Sequence, residues 1–215
     1  MKNTSVTEAI YDAGFNSSGR FYEKSKRLLG MTPTQFRTGG ANEEINFALG
    51  QTTLGAILVA SSKKGVVAIL LGDDPEKLLR GLQDRFPRAT LIGGDKEYEE
   101  LVARVVGFIE APKRSLNVPL DIRGTAFQQR VWRALQRISA GTTVSYADIA
   151  RRIGSPSSVR AVAGACAANK IAIAIPCHRV VRTDGSLSGY AWGIDRKRQL
   201  IERERQQSAR LKRAS

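Results

Sequence analysis

From Ile171 to Val180 the chain reads Ile-Ala-Ile-Ala-Ile-Pro-Cys-His-Arg-Val, a decapeptide that suits few arrangements. Its apolar half, short and rich in β-branched residues, fits a buried strand, although periodicity alone leaves a buried helix open. Pro176 has no N–H to give to a ladder, so strand pairing is expected to stop there. Cys177 and His178 are then delivered to the end of a buried element, at the edge of a pocket. With 215 residues the chain is long enough for one full domain and a smaller companion.

Two cysteines, Cys166 and Cys177, are too few for a disulfide framework or a four-cysteine zinc site, and one histidine argues against a His-rich metal centre. No metal or other cofactor is expected. No apolar run approaches the roughly 18–20 residues that span a bilayer, and the N-terminus lacks a basic-then-apolar signal pattern. No membrane is implied, and the expected compartment is the reducing cytoplasm. The formal charge of +14 is unevenly spread: Lys and Arg against Asp and Glu number 6 and 3 over residues 1–38, 10 and 11 over 39–120, and 18 and 6 over 121–215. A cationic C-terminal half is the footprint of a polyanion-binding surface. A monomer is expected, since no coiled-coil heptad is evident.

Residues 1–38 read as helix, turn, helix and a short third helix. Val6, Ala9, Ile10 and Ala13 share helical spacing, Gly14-Phe15-Asn16 supplies a turn, and Thr32-Pro33 opens the last helix. Ala13 to Phe21 and Gly30 to Arg37 resemble the second helix-turn-helix of AraC-type regulators, of which only one unit is present. Residues 39–46 read as a polar linker. An α/β companion domain is expected over 47–120, with strands at Phe47–Val59 and Gly65–Leu71, a helix capped by Asp74-Pro75 to about Phe86, and another over Tyr98–Ile109. The overall class is therefore mixed α/β.

Residues 121–207 read as a mainly helical domain, with 208–215 a basic tail. Thr125 caps a helix whose stripe Phe127, Val131, Trp132, Leu135 and Ile138 belongs to a core. Ser145 and Asp148 form a capping box, Gly154-Ser155-Pro156 breaks the helix, and Ser157 or Ser158 caps the next. In that next helix Val159, Val162, Ala163 and Cys166 share a face, which buries Cys166. Arg160, Ala161, Gly164, Ala165, Ala167 and Ala168 leave the other face nearly bare. Such a helix-turn-helix suits close approach to DNA without base readout, or equally close packing against another helix.

Pro176-Cys177-His178-Arg179-Val180, with Asn169 eight residues before the cysteine, resembles the signature of the O6-alkylguanine-DNA alkyltransferases. Leu120 to Gln129, Val144-Ser145-Tyr146, Ala167 to Lys170 and Ser188 to Gly193 are similar to the Ada-type branch, over roughly residues 43–207. A zinc-binding N-terminal domain with its phosphotriester-sensing cysteine is missing from the pattern, as is half of the AraC-type module. The resemblance implies a ribonuclease H-like companion domain and a catalytic domain that moves an alkyl group from guanine O6 in double-stranded DNA to Cys177, once per molecule. It also implies a relay of Cys177, water, His178 and Glu204. Asn169 would hold the reactive turn, and Tyr146 would protonate the leaving purine. Arg160 would fill the gap left by an extruded nucleotide, beside Ser157, Ala161 and Gly164 at the DNA. Backbone at Cys177, Val180, Tyr190 and Ala191 would line the pocket.

The chemistry is demanding, because lowering a thiol pKa from about 8.5 to near 7 takes about 2 kcal/mol of thiolate stabilisation. Neighbours on a strand point to opposite faces, so Cys177 and His178 need a turn or a bridging water to communicate. Two rivals remain at this level. A Cys-His hydrolase would need an oxyanion hole and has no use for the cationic surround. An alkylation-responsive transcription regulator, using the transferase half as a sensor, would bind specific sequences through residues 1–38.

Overall fold

The computed structural model describes residues 43–112 and 116–213; the helix-turn-helix expected over residues 1–38 lies outside them. The chain divides into two compact units, one up to Val106 and one from Gly107, and among the described residues it is a mixture of six helices and short sheets.

In the first unit, strands β1 (Glu44–Thr52), β2 (Gly55–Ser62), β3 (Gly65–Gly72) and β4 (Thr90–Gly93) form one sheet in the order β3-β2-β1-β4. The first three pair antiparallel, and β4 lies parallel to β1. The single strand expected over Phe47–Val59 is in fact two. The chain reverses at Thr53-Leu54, where Thr52 Oγ1 accepts from Leu54 N at 3.0 Å and donates to the Gly55 carbonyl at 2.9 Å. Gly55 follows at φ 102°, a left-handed value that glycine takes without a Cβ penalty. β1 also begins inside the segment expected as linker, because Ile45 and Phe47 alternate with polar residues and bury one face.

Strands β2 and β3 are apolar and buried along almost their whole length, which requires cover on both faces. Helix α1 (Pro75–Arg85) packs Leu78, Leu79 and Leu82 against them. Asp74 caps it, accepting from Glu76 N at 2.9 Å, with Pro75 in the first turn. Helix α2 (Lys96–Glu110) reaches β1 because Gly50 is there: a Cβ at that position would lie 3.1 Å from Val102 Cγ1.

The first helix wholly within the second unit is α3 (Ala126–Gln136), started by a reciprocal Thr125–Gln128 capping box. Val131, Trp132, Leu135 and Ile138 are buried, and each such side chain contributes roughly 1.5–3 kcal/mol. Trp132 Nε1 donates to the Ala165 carbonyl at 2.8 Å, which makes it a core residue as its periodicity suggests. Strand β5 (Val144–Ser145) leads into α4 (Tyr146–Arg152), capped by the Ser145–Asp148 box. Gly154, at φ 71°, ends α4 in a paired closure: its N–H meets the Arg151 carbonyl at 3.0 Å and Ser155 N–H meets Ala150 at 2.9 Å.

Helix α5 (Val159–Ala168) then buries Val162, Ala165 and Cys166. The inward face therefore differs from the expected one. Val159, in the first turn, is 37% exposed, whereas Ala165 is drawn inward by the Trp132 bond to its carbonyl. Beyond α5, Ile171–Ile175 is not a strand but a succession of turns. Ala174 N–H meets the Ala172 carbonyl at 2.7 Å, Ile175 N–H meets Ile171 at 3.0 Å, and Ile173 takes φ 72°. A 3₁₀ turn over Cys177–Arg179 follows, then strand β6 (Val180–Val181), which pairs parallel with β5. Helix α6 (Ile194–Arg213) carries residues 208–213, expected as a tail, as its last turns.

Gly154 has open space around its absent Cβ, so Gly154→Ala tests backbone strain alone. We expect a loss of about 1 kcal/mol in urea unfolding. Gly141→Ala, at φ 79° with its Cβ against Ser208, should lose more.

Candidate active site

Cys177 is 4% exposed and His178 wholly buried, so the 3₁₀ turn presents both inside the protein rather than on opposite faces of a strand. Asn169, the residue that ends α5, fixes this turn. Its Nδ2 donates to the Ile175 carbonyl at 2.8 Å and lies 3.2 Å from Cys177 Sγ, while its Oδ1 accepts from Ile171 N at 2.9 Å. The side chain thus spans both ends of the turn segment. Ile173, a β-branched residue in the left-handed region, is the strain this clamp holds.

Behind the turn lies a buried carboxylate. Glu204 on α6 is 2% exposed, and its Oε1 lies 2.9 Å from His178 Nε2. Arg179 grips both oxygens, through Nη2 to Oε1 at 2.8 Å and Nε to Oε2 at 2.9 Å. Gly141 N–H adds a contact to Oε2 at 3.2 Å. Burial opposes the charge, but His178 and Arg179 more than offset it and hold the carboxyl down to about 2. A carboxylate only accepts, so His178 Nε2 carries the proton and Nδ1 presents its lone pair. That Nδ1 has no partner among the described residues.

Burial also lowers the His178 pKa, although Glu204 pulls it upward, so the imidazole rests neutral and can take a proton. Burial pushes the Cys177 thiol up to about 11, against the Asn169 hydrogen bond and the Lys197 charge, which favour thiolate. The resting group is a thiol beside a neutral base. A neutral imidazole in the same turn is a group able to accept a proton.

Cys177 opens onto a cavity of about 550 Å³ lined also by Tyr146, Cys166, Arg182, Ser188, Tyr190 and Ala191. Tyr146 Oη lies 2.6 Å from Ser188 Oγ. Tyr190 stacks edge-on between His178 and Trp192, with centroids 6.4 and 5.0 Å away. Val180 is fully buried, and its carbonyl accepts from Lys197 Nζ at 2.6 Å.

A family model described as the 6-O-methylguanine DNA methyltransferase, DNA binding domain, matches residues 126–206. Over 166 residues the chain is 36% identical to the inducible methylated-DNA–protein-cysteine methyltransferase of Bacillus subtilis, covering 77% of this chain and 88% of that one. The chain belongs to the methylated-DNA–protein-cysteine methyltransferases. It is also 52% identical over 209 residues to the bifunctional transcriptional activator/DNA repair enzyme Ada of Escherichia coli, covering 97% of this chain but 59% of that protein. The chain thus spans about three fifths of the length of that relative. The structure of Mycobacterium tuberculosis OGT in complex with DNA matches with a TM-score of 0.64 at 32% identity, over 76% of this chain and 94% of that one.

Of the expected residues, Asn169 bonds Cys177 and Glu204 bonds the adjacent His178, while Tyr146, Tyr190 and Ala191 line the cavity that Cys177 opens onto. Ser157, Arg160, Ala161 and Gly164 are exposed at the start and on the outer side of α5. Cys166 is buried as expected, with its thiol pushed by burial to about 12, but it also lines the cavity. Three residues were missed: Arg179, Lys197 and Ser188. Lys197 carried a legible signal, since it precedes Leu200, Ile201 and Glu204 at i+3, i+4 and i+7 on the buried stripe of α6.

Glu204→Gln should cost about 3–5 kcal/mol in urea unfolding at pH 7, because Arg179 keeps a buried charge without its counter-ion. For the native side chain the folded pKa is depressed, so its contribution is complete above the ordinary 4.5 and disappears as pH falls toward about 2. The stability gap between the two proteins should therefore close across that window.

Proposed function

We propose that this protein repairs DNA by moving an alkyl group from guanine O6 onto Cys177, one event per molecule. The observation that carries this reading is the buried Glu204–His178 pair, which leaves a neutral imidazole with a bare Nδ1 in the same turn as a cavity-lining thiol. A water would pass the Cys177 proton to His178 Nδ1. The thiolate then attacks the alkyl carbon, the S–C bond forms as the C–O6 bond breaks, and the electron pair leaves with the purine. Tyr146 gives its hydroxyl proton to a ring nitrogen of the departing guanine. The product thioether has no good leaving group, so the site is consumed. Activity would vanish at pH values low enough to protonate His178, which lie below the ordinary histidine range.

An alkylated oxygen within a duplex is out of reach, so the nucleotide must be extruded at a cost of a few kcal/mol. The exposed Ser157, Ala161 and Gly164 of the α4–turn–α5 unit offer a smooth surface to double-stranded DNA, and Arg160 would enter the stack in place of the lost base. The basic half would supply phosphate contacts and a steep salt dependence. Backbone at Val180, Tyr190 and Ala191 would position the base. In this reading residues 121–207 are the catalytic and DNA-binding domain, 47–120 a ribonuclease H-like companion, and 1–38 a partial AraC-type unit. No cofactor takes part, and the protein would work as a cytoplasmic monomer.

Mass spectrometry after mixing with excess O6-methylguanine duplex should show one added methyl on Cys177 and none in Cys177→Ser. Repeated turnover, or methylation elsewhere in the chain, would refute the mechanism. Arg160→Ala should slow transfer from duplex by at least roughly tenfold while affecting a single-stranded substrate far less, because there the stack leaves no gap to fill.

A further inference from the structure

Ser188 has no role in the chemistry above, yet its hydroxyl is held from two sides. Lys197, a lysine with no solvent exposure, brings Nζ to 3.0 Å from Ser188 Oγ, and Tyr146 Oη lies 2.6 Å from the same oxygen. The ammonium also donates to the carbonyls of Val180 at 2.6 Å and Ser188 at 3.4 Å, so each of its three N–H groups has an acceptor.

An ammonium can only donate, so a Ser188 lone pair must receive it. The serine's own proton is then driven away from the positive charge, toward Tyr146 Oη. Tyr146 accepts that proton's hydrogen bond and keeps its own O–H free to aim into the cavity, which both residues line. Hydrogen bonds that donate head to tail polarise one another. We propose that Ser188, oriented by Lys197, is a positioning residue that turns the Tyr146 hydroxyl toward the leaving base and eases its loss of a proton. The idea rests on the alkyl-transfer reading and assigns that reading's proton a source.

The step balances. As Tyr146 gives its proton to the purine, the forming phenolate takes the Ser188 proton, and Ser188 takes one from Lys197. One proton leaves the ammonium and one arrives on guanine. The other titratable groups that face Tyr146 are Cys166 on α5, Cys177 in the 3₁₀ turn and Arg182 beyond β6. Burial raises the Tyr146 pKa and the Ser188 bond draws it back down, while burial lowers that of Lys197. Both the serine bond and the lysine shift run in the direction a donor chain needs.

The test compares two alkyl donors at saturating concentration, with methylation of Cys177 read by mass spectrometry in single turnover. One is O6-methylguanine in duplex DNA, whose leaving group needs a proton. The other is iodomethane, whose leaving group does not. In Ser188→Ala the ratio of the duplex rate to the iodomethane rate should fall roughly 10- to 100-fold, a fraction of what general acid catalysis supplies. Ser188→Thr, which keeps the hydroxyl, should restore it. An unchanged ratio in Ser188→Ala, including an equal loss with both donors, would overturn the proposal, as would a Ser188→Thr protein no better than alanine. Wild-type protein that reacts with iodomethane but not with the duplex would sink the alkyl-transfer reading itself, and this inference with it.

Discussion

Taking a carboxylate out of water is costly unless its oxygens are fully engaged, and Glu204 meets that condition with partners from two parts of the second unit. Arg179 and His178 come from the 3₁₀ turn, and Gly141 N–H from the loop after α3. Because the fork of an arginine matches both oxygens at once, the turn cannot rotate without breaking two charge-assisted bonds. His178 inherits its ring orientation and tautomer from the same anion. The carboxylate is therefore a structural rivet and a chemical instruction at once. Gly141 shows how closely the loop is held: its missing Cβ would meet Ser208 and approach the Glu204 carbonyl.

Two hydrogen-bond networks flank the turn and cavity that hold Cys177. One runs from Glu204 through His178 and suits removal of a proton; the other runs from Lys197 through Ser188 to Tyr146 and suits delivery of one. Both are anchored on the buried stripe of α6, seven residues apart. Lys197 serves each network, since its charge also favours the Cys177 thiolate. In the proposed mechanism, attack by sulfur and departure of the base are tied to this single helix.

Local signals were legible wherever short-range chemistry decides the outcome. The caps at Asp74, Thr125 and Ser145, the Gly154 stop and the Trp132 stripe all follow from sequence spacing. The failures share a cause: long-range contacts chose the conformation. Ile171–Ile175 carries the pattern of a strand, but Asn169 bonds at Ile171, Ile175 and Cys177 bend it into turns, at the cost of a left-handed isoleucine. Thr53-Leu54 lacks the Asn-Gly or Asp-Gly pair that announces a hairpin, and only the Thr52 side chain and Gly55 reveal it. The family signature pointed to Cys177, His178 and Glu204; Lys197 was legible only as a member of the buried stripe of α6, and its bond to Ser188 appears only once that helix is in place.

Asn169 closes the far end of the helix that begins beside Arg160, so α5 serves as a ruler. Nine residues at 1.5 Å each set about 14 Å between the exposed arginine and the amide that holds the sulfur. Adding or deleting one residue in α5 would shift that distance little but would swing the amide about 100° around the helix axis, away from the turn it clamps. The helix can vary in composition along its smooth face, but its length is quantised.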